Sequence, residues 1–143
     1  MKKLILTTLL VSLTLQATPL VQTPSKMNVD ACTKTIVKEI ESKKGFAIFS
    51  IIDHHQNAEK VGLTLAPQKV IVFGNPKAGT LLMQADAQIG YELPLRIMVR
   101  QEGTKTIVEY REPKTYTKEY ALQKSSLPAK MSKLLSGLAS SCK

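Results

Sequence analysis

The stretch LRIMVRQEGTKTIVEYR, Leu95 to Arg111, decides how the rest of the chain is read. Two runs rich in β-branched residues flank Glu102-Gly103, and that dipeptide is a turn signal between neighbouring antiparallel strands. The runs predict one strand over Leu95 to Gln101 and another over Thr104 to Arg111. Pro94 opens the first and Pro113 ends the second, because proline has no N–H to offer a ladder.

Working outward, Lys69 to Phe73 reads as a further buried strand. FAIFSII, Phe46 to Ile52, reads as another, since a nearly all-apolar run of this length suits a strand and is short for a helix. Asp53-His54-His55-Gln56-Asn57-Ala58 contains a helix start, and a short helix to Val61 would stop at Gly62. Gly74 to Gly79, GNPKAG, reads as a tight turn, with a helix over Thr80 to Ala87 that has Leu81, Leu82 and Ala85 available for burial. At the ends, Val29, Cys32, Ile36, Val37 and Ile40 follow the three-four spacing of one buried helix face after Asn28 or Asp30. Leu127, Met131, Leu134, Leu135 and Leu138 do the same after Ser125 or Ser126, with Pro128 in the first turn. The prediction is one α+β domain over 28–143, with a four-stranded antiparallel-rich sheet and helices packed on one face.

The length of 143 residues suits one core that buries about two-thirds of the surface of the unfolded chain. Hydrophobic residues at 43% and charged ones at 22% exclude a disordered or collagenous chain. Met1-Lys2-Lys3 followed by the apolar run Leu4 to Leu15, with Ala17 as a small residue for cleavage, reads as a secretory signal peptide over 1–17. Its run of about twelve residues is short of the roughly twenty that a spanning helix needs, so no stable membrane span is expected after cleavage. The expected location is periplasmic or secreted. Residues 18–27, with Pro19 and Pro24, read as a disordered lead.

The formal net charge is +9, and +7 without Lys2 and Lys3. The lysines are strewn through every segment, with no charge run or arginine-aromatic interleaving, so the charge reads as solvated surface and nucleic acid is not an expected partner. In an oxidising compartment, Cys32 and Cys142 read as one long-range disulfide. No Cys-x-x-Cys is present to suggest redox work.

Several short signals then occur in a set order. They are Ile52-Asp53-His54 and Ala58; Gly62-Leu63 and Leu65-x-Pro67; Phe73-Gly74-Asn75-Pro76-Lys77, Gly79-Thr80 and Leu82-Met83; Leu93-Pro94-Leu95; and Tyr110 and Pro113. In this the sequence resembles domain-of-unknown-function family 302, over roughly 45–120. The resemblance implies a compact α+β domain like the TATA-binding-protein fold, and a homodimer as one form of assembly. It brings no established reaction, substrate or cofactor, and the final helix and both cysteines lie outside the shared pattern.

Three groups of residues invite a chemical reading. Gly74 to Thr80 has two spaced glycines after a strand, as a phosphate loop does, but no lysine follows the second, and Pro76 removes an N–H that such a loop would use. Asp53-His54-His55 is the sole histidine cluster. A neutral His54 with the thioether of Met83 would suit copper or haem iron, with Asn75 as a polar neighbour. Against this, Asp53 or His55 can cap a helix and Met83 can simply fill apolar space. For hydrolysis, His54 would be the base, yet Ser50 and Thr80 lack a Gly-x-Ser-x-Gly setting, and Tyr91 and Tyr110 read as rim or core residues. The leading expectation is a non-catalytic module binding an unknown small ligand, metal or haem through His54, Asn75 and Met83. The alternative is a self-associating module of the cell envelope that uses the sheet edge or the last helix; a hydrolase using His54 comes third.

Overall fold

A computed structural model describes residues 20–143; the expected leader over 1–17 lies outside the described residues. Five strands, β1 (Leu20–Ser25), β2 (Ala47–Asp53), β3 (Gln68–Gly74), β4 (Leu95–Glu102) and β5 (Lys105–Arg111), form one antiparallel sheet in the order β1-β5-β4-β3-β2. The hairpin about Glu102-Gly103 pairs Met98 with Glu109 and Glu102 with Lys105. The helices are α1 (Val29–Glu41), α2 (His54–Glu59), α3 (Pro76–Ala85), α4 (Tyr116–Glu119) and α5 (Leu127–Ser140), with 3₁₀ turns at Ala87–Tyr91 and Pro113–Thr115.

The sheet has five strands where the sequence suggested four. The additional strand, β1, falls in the stretch 18–27 expected to be a disordered lead, and it pairs with β5 from Leu20 opposite Arg111 to Ser25 opposite Thr106. Pro24 argued against a strand there, but β1 is an edge strand, and an edge leaves one side of the backbone free of ladder bonds.

One face of the sheet carries Ile71, Phe73, Ile97, Val99, Val108 and Tyr110, all buried against the apolar stripes of α1 and α5. Period-two alternation puts these residues on one side, and each large aliphatic chain so buried contributes about 1.5–3 kcal/mol. Cys32 and Cys142 are joined in a disulfide that ties α1 to the segment after α5, as their pairing predicts. The Ser25 hydroxyl donates to the Cys142 carbonyl oxygen at 2.6 Å, which brings the end of β1 to the same place.

Two local expectations are corrected. β2 was read as buried, but it lies at the edge, and Phe49, Ile51 and Ile52 are 53%, 45% and 37% exposed. Apolar content alone does not distinguish an edge strand from a central one. The GNPKAG stretch is not a free turn, because α3 begins within it. Asn75 is the N-cap, its Oδ1 accepting from the Ala78 N–H at 3.1 Å, and Pro76 takes the first helical position. Both residue types are favoured there, since Asn satisfies an otherwise orphaned donor and Pro has no N–H to orphan. In consequence Leu82 is buried while Leu81 and Ala85 face solvent.

Candidate functional site: an apolar cavity at the Asn75 corner

The chain turns from strand to helix twice with the same device. At the end of β2, Asp53 Oδ1 accepts from the Gln56 N–H at 3.0 Å and starts α2; at the end of β3, Asn75 starts α3. Antiparallel pairing sends these corners to opposite ends of the sheet, with Asp53 opposite Lys69 and Ala47 opposite Gly74. The five steps from Lys69 to Gly74 correspond to about 16 Å at roughly 3.3 Å per residue.

The three residues singled out for a ligand therefore divide. Asn75 and Met83 come together at one corner, and His54 sits at the other, at the first position of α2. His54 and Met83 do not converge, so the copper or haem reading of that pair has no geometry to support it. Among the described residues no group of three or more His, Cys, Asp or Glu side chains is placed to hold a metal ion. His55 is not the cap. Its Nδ1 lies 2.5 Å from the Leu65 carbonyl oxygen, to which it donates, and its Nε2 lies 3.5 Å from Glu59. Asp53 also meets Lys69 Nζ at 3.0 Å, and Asp30 meets the same ammonium at 2.7 Å. Partial burial works to raise the Asp53 pKa, but the Gln56 N–H and Lys69 outweigh it and hold the carboxyl below its ordinary value.

At the Asn75 corner a cavity of about 400 Å³ opens beside α3. Gly79, Leu82 and Met83 form one wall, and Leu93, Pro94 and Leu95 another. Phe46 and Phe49 reach it from the start of β2, and Met131 reaches it from α5. Phe49 is directed there by a register irregularity in β2 between Ile48 and Ser50, which adds one residue to the strand and re-aims its side chain. Gly45, at φ +83°, lets α1 turn into β2. A Cβ on Gly45 would stand 2.9 Å from Asn75 Nδ2, so the same glycine makes room for the cap of α3.

The wall segment between Gly90 and Leu93 is held by charge. Glu92 is 4% exposed and accepts from Arg111 Nη1 and, at 3.1 Å, from the Tyr120 hydroxyl. Arg111 also donates to Glu119 and lies 5.4 Å from the centre of the Tyr116 ring. Burial, reinforced by the Glu92 charge, pushes the Tyr116 hydroxyl up to about 12.

The remaining catalytic candidates are placed without a partner that would activate them. Thr80 Oγ1 donates to the Pro76 carbonyl at 2.9 Å, Ser50 is on the exposed edge of β2, Tyr110 is in the core and Tyr91 is on the surface. Phe46, Phe49, Gly90 and Met131 were missed as wall residues, since they come from three separate parts of the chain. A signal was nonetheless present: Gly74 to Met83 and Leu93-Pro94-Leu95, which carry much of the family resemblance, meet at this cavity.

A model of the family described as Domain of unknown function DUF302 matches residues 21–138. The chain belongs to that family. A crystal structure of an uncharacterized conserved DUF302 protein from Bacillus stearothermophilus is similar in fold, with a TM-score of 0.75 over 87% of this chain and 98% of that one at 16% identity. DUF302 similarity also extends into longer proteins. The chain is 32% identical over 108 residues to a protein named fluoride-specific ion channel FluC 1 from Brucella suis, which is 75% of this chain and 42% of the relative. A protein named FluC 2 from Brucella melitensis matches at 32% over 108 residues, 40% of its length. The chain thus spans less than half the length of these curated relatives.

Proposed function

We propose that this DUF302 protein is an exported, non-catalytic module that binds a small ligand in the cavity beside Asn75. The cavity itself carries the reading. Its 400 Å³ lies within the usual range for small-molecule sites, and apolar side chains with a few polar neighbours are the usual lining of such sites. No ionisable side chain is among the lining residues, so the wall has nothing with which to move a proton, which favours binding over catalysis. Export is supported by the leader pattern over 1–17 and by the Cys32–Cys142 pairing, which suits an oxidising compartment.

Native mass spectrometry of the protein purified from its own cells tests the binding. A co-purifying small molecule is expected, and Met83→Trp, which puts a large ring into the mouth, is expected to lose it. Wild-type protein that carries nothing and takes up no apolar probe overturns the reading. N-terminal sequencing tests export: a start near residue 18 is expected, and an intact Met1 in all of the protein counts against it.

The fluoride conduction named in the longer relatives is not carried to this chain. We take the shared stretch as a module attached to those channels, and no helix among the described residues is long and apolar enough to cross a membrane. A second reading, self-association, is favoured by β2, an unpaired edge with Phe49, Ile51 and Ile52 exposed. Such an edge can accept another strand. Light scattering is expected to show a dimer that Ile51→Lys dissociates; a wild-type monomer rejects this reading.

A further inference from the structure

We infer that the occupant of the Asn75 cavity is an uncharged hydrocarbon moiety, and that Gly79 is what leaves room for it. The inference rests on the binding reading above and names the class of ligand.

The first observation is electrical. Charged residues make up 22% of the chain, yet none lines the cavity. A ligand charge carried into this lining would lose water without gaining a counter-charge, which disfavours it. Two of the nearby polar atoms are engaged: Asn75 Oδ1 is taken by the Ala78 N–H, and Thr80 gives its hydrogen to the Pro76 carbonyl. The neutral Asn75 amide NH₂ is then a polar neighbour without the charge an anion would need. Pro76, at the first position of α3, has no N–H, so the helix start is poorly equipped to hold an anion.

The second observation is steric and independent of the first. Gly74, Gly79 and Gly90 all line the cavity, and none has a positive φ; the positive-φ glycines are Gly45, Gly62 and Gly103. Backbone geometry therefore does not demand glycine at these three wall positions. Gly79 lies inside α3, where glycine is less favourable than alanine by about 1 kcal/mol. A Cβ on Gly79 would meet only Leu93 Cδ1, at 3.7 Å, which is ordinary contact. What a side chain there would take is space in the cavity. At Gly74 a Cβ would press on Phe49 at 3.3 Å, and at Gly90 it would touch the Met83 sulfur at 3.4 Å, so those two glycines accommodate wall side chains.

The third observation is the character of the wall. Met83 and Met131, with Phe46 and Phe49, are soft and polarisable, and methionine in particular adapts to apolar guests of different shape. An apolar cavity of about 150 Å³ stays dry and holds a benzene ring. The 400 Å³ here would accept a longer carbon skeleton, either the tail of a lipid or a free lipophilic molecule.

The test is displacement of an apolar fluorophore from the purified protein by straight-chain alcohols, carboxylates and ammonium ions of matched length, by a single-chain phospholipid, and by inorganic phosphate and fluoride. Alcohols are expected to bind about fourfold more tightly per added methylene, the fold-change equivalent to ~0.8 kcal/mol per buried CH₂. Phosphate and fluoride are expected to compete with nothing. Equal binding by the phospholipid and the alcohol of the same chain assigns the site to lipid tails, and binding by the alcohol alone assigns it to free molecules. Gly79→Ala is expected to raise the melting temperature yet weaken the alcohols several-fold, and Gly79→Leu to abolish their binding. A short ion that binds wild type and is lost in Gly79→Leu overturns the hydrocarbon class while leaving the binding reading intact. Wild-type affinity in Gly79→Ala overturns the role of Gly79. If no probe of any class binds wild type, both this inference and the binding reading fall.

Discussion

The Asp53 corner and the Asn75 corner are built from one local rule and do opposite things. Each ends a strand with a short polar side chain that caps the next helix through its Oδ1, at 3.0 Å and 3.1 Å. At the Asp53 corner the cap is charged and tied to Lys69, and α2 buries none of its residues. At the Asn75 corner the cap is neutral, α3 buries Leu82, and Phe49, Leu93 and Met131 arrive from elsewhere to enclose a cavity. Capping starts a helix; what gathers around it determines whether the corner can hold a ligand.

The largest expected effect comes from the disulfide. It closes a loop with a sequence separation of 110, and in the chain-entropy model a loop of that size stabilises by about 4–5 kcal/mol. Cys32→Ser with Cys142→Ser should lower stability by that order in denaturant titration. Because α5 carries Met131, it should also loosen probe binding at the Asn75 corner while leaving the Asp53–Lys69 pair in place. Equal disturbance of both corners would break the comparison.

Arg111→Ala should follow, at about 3 kcal/mol, because it leaves Glu92 buried without its partner. Its reach should be the wall from Gly90 to Leu93, seen as lost probe affinity; a change below about 0.5 kcal/mol, the scale of an ordinary surface substitution, would show that the wall does not depend on this pair. Next come the two turn glycines. Gly45→Ala forces a side chain into φ +83° and against Asn75, and should cost about 2 kcal/mol, whereas Gly62→Ala at φ +73° meets nothing within 4 Å and should cost about 1 kcal/mol. Equal costs would mean that Asn75 gives way freely.

The caps themselves are smaller still. Asp53→Ala and Asn75→Ala should each lose about 1 kcal/mol near neutral pH. They should part company in acid. The Asp53 carboxyl is held below its usual value of 3.8, so its contribution is present above that value and is lost as pH falls through the lower folded value. The Asn75 contribution should not vary over the same range. Smallest of all, Asp53→Asn should keep the cap and give up only the partly buried link to Lys69, less than about 1 kcal/mol, while removing the acid sensitivity. At the opposite extreme of pH, Tyr116 binds its proton up to about 12 in the folded chain, against 10.0 unfolded, so stability should fall as pH rises between those values, and Tyr116→Phe should flatten the fall.

Much of the framework was legible before the fold was known. The helix stripes Val29 to Ile40 and Leu127 to Leu138 repeat every three to four residues, and only an α-helix places such residues on one buried side. The Glu102-Gly103 hairpin and the cysteine pairing were equally readable, since turn chemistry and even cysteine counts are local or compositional signals. β1 was not, because Pro24 is tolerated only by virtue of the edge position that pairing with β5 creates. The exposure of β2 was not readable for the same reason: which strand lies outermost is a property of the sheet.

The candidate site divides along the same line. Residue chemistry and short spacing are enough to place helix starts at Asn75-Pro76 and Asp53, Met83 and the glycines near the first, and His54 near the second. Tertiary structure alone decided that Met83 and His54 part while Met83, Leu93, Phe49 and Met131 meet. Antiparallel pairing of β2 with β3 sends successive corners to opposite ends of the sheet, and no short-range pattern records which distant walls will close around either end.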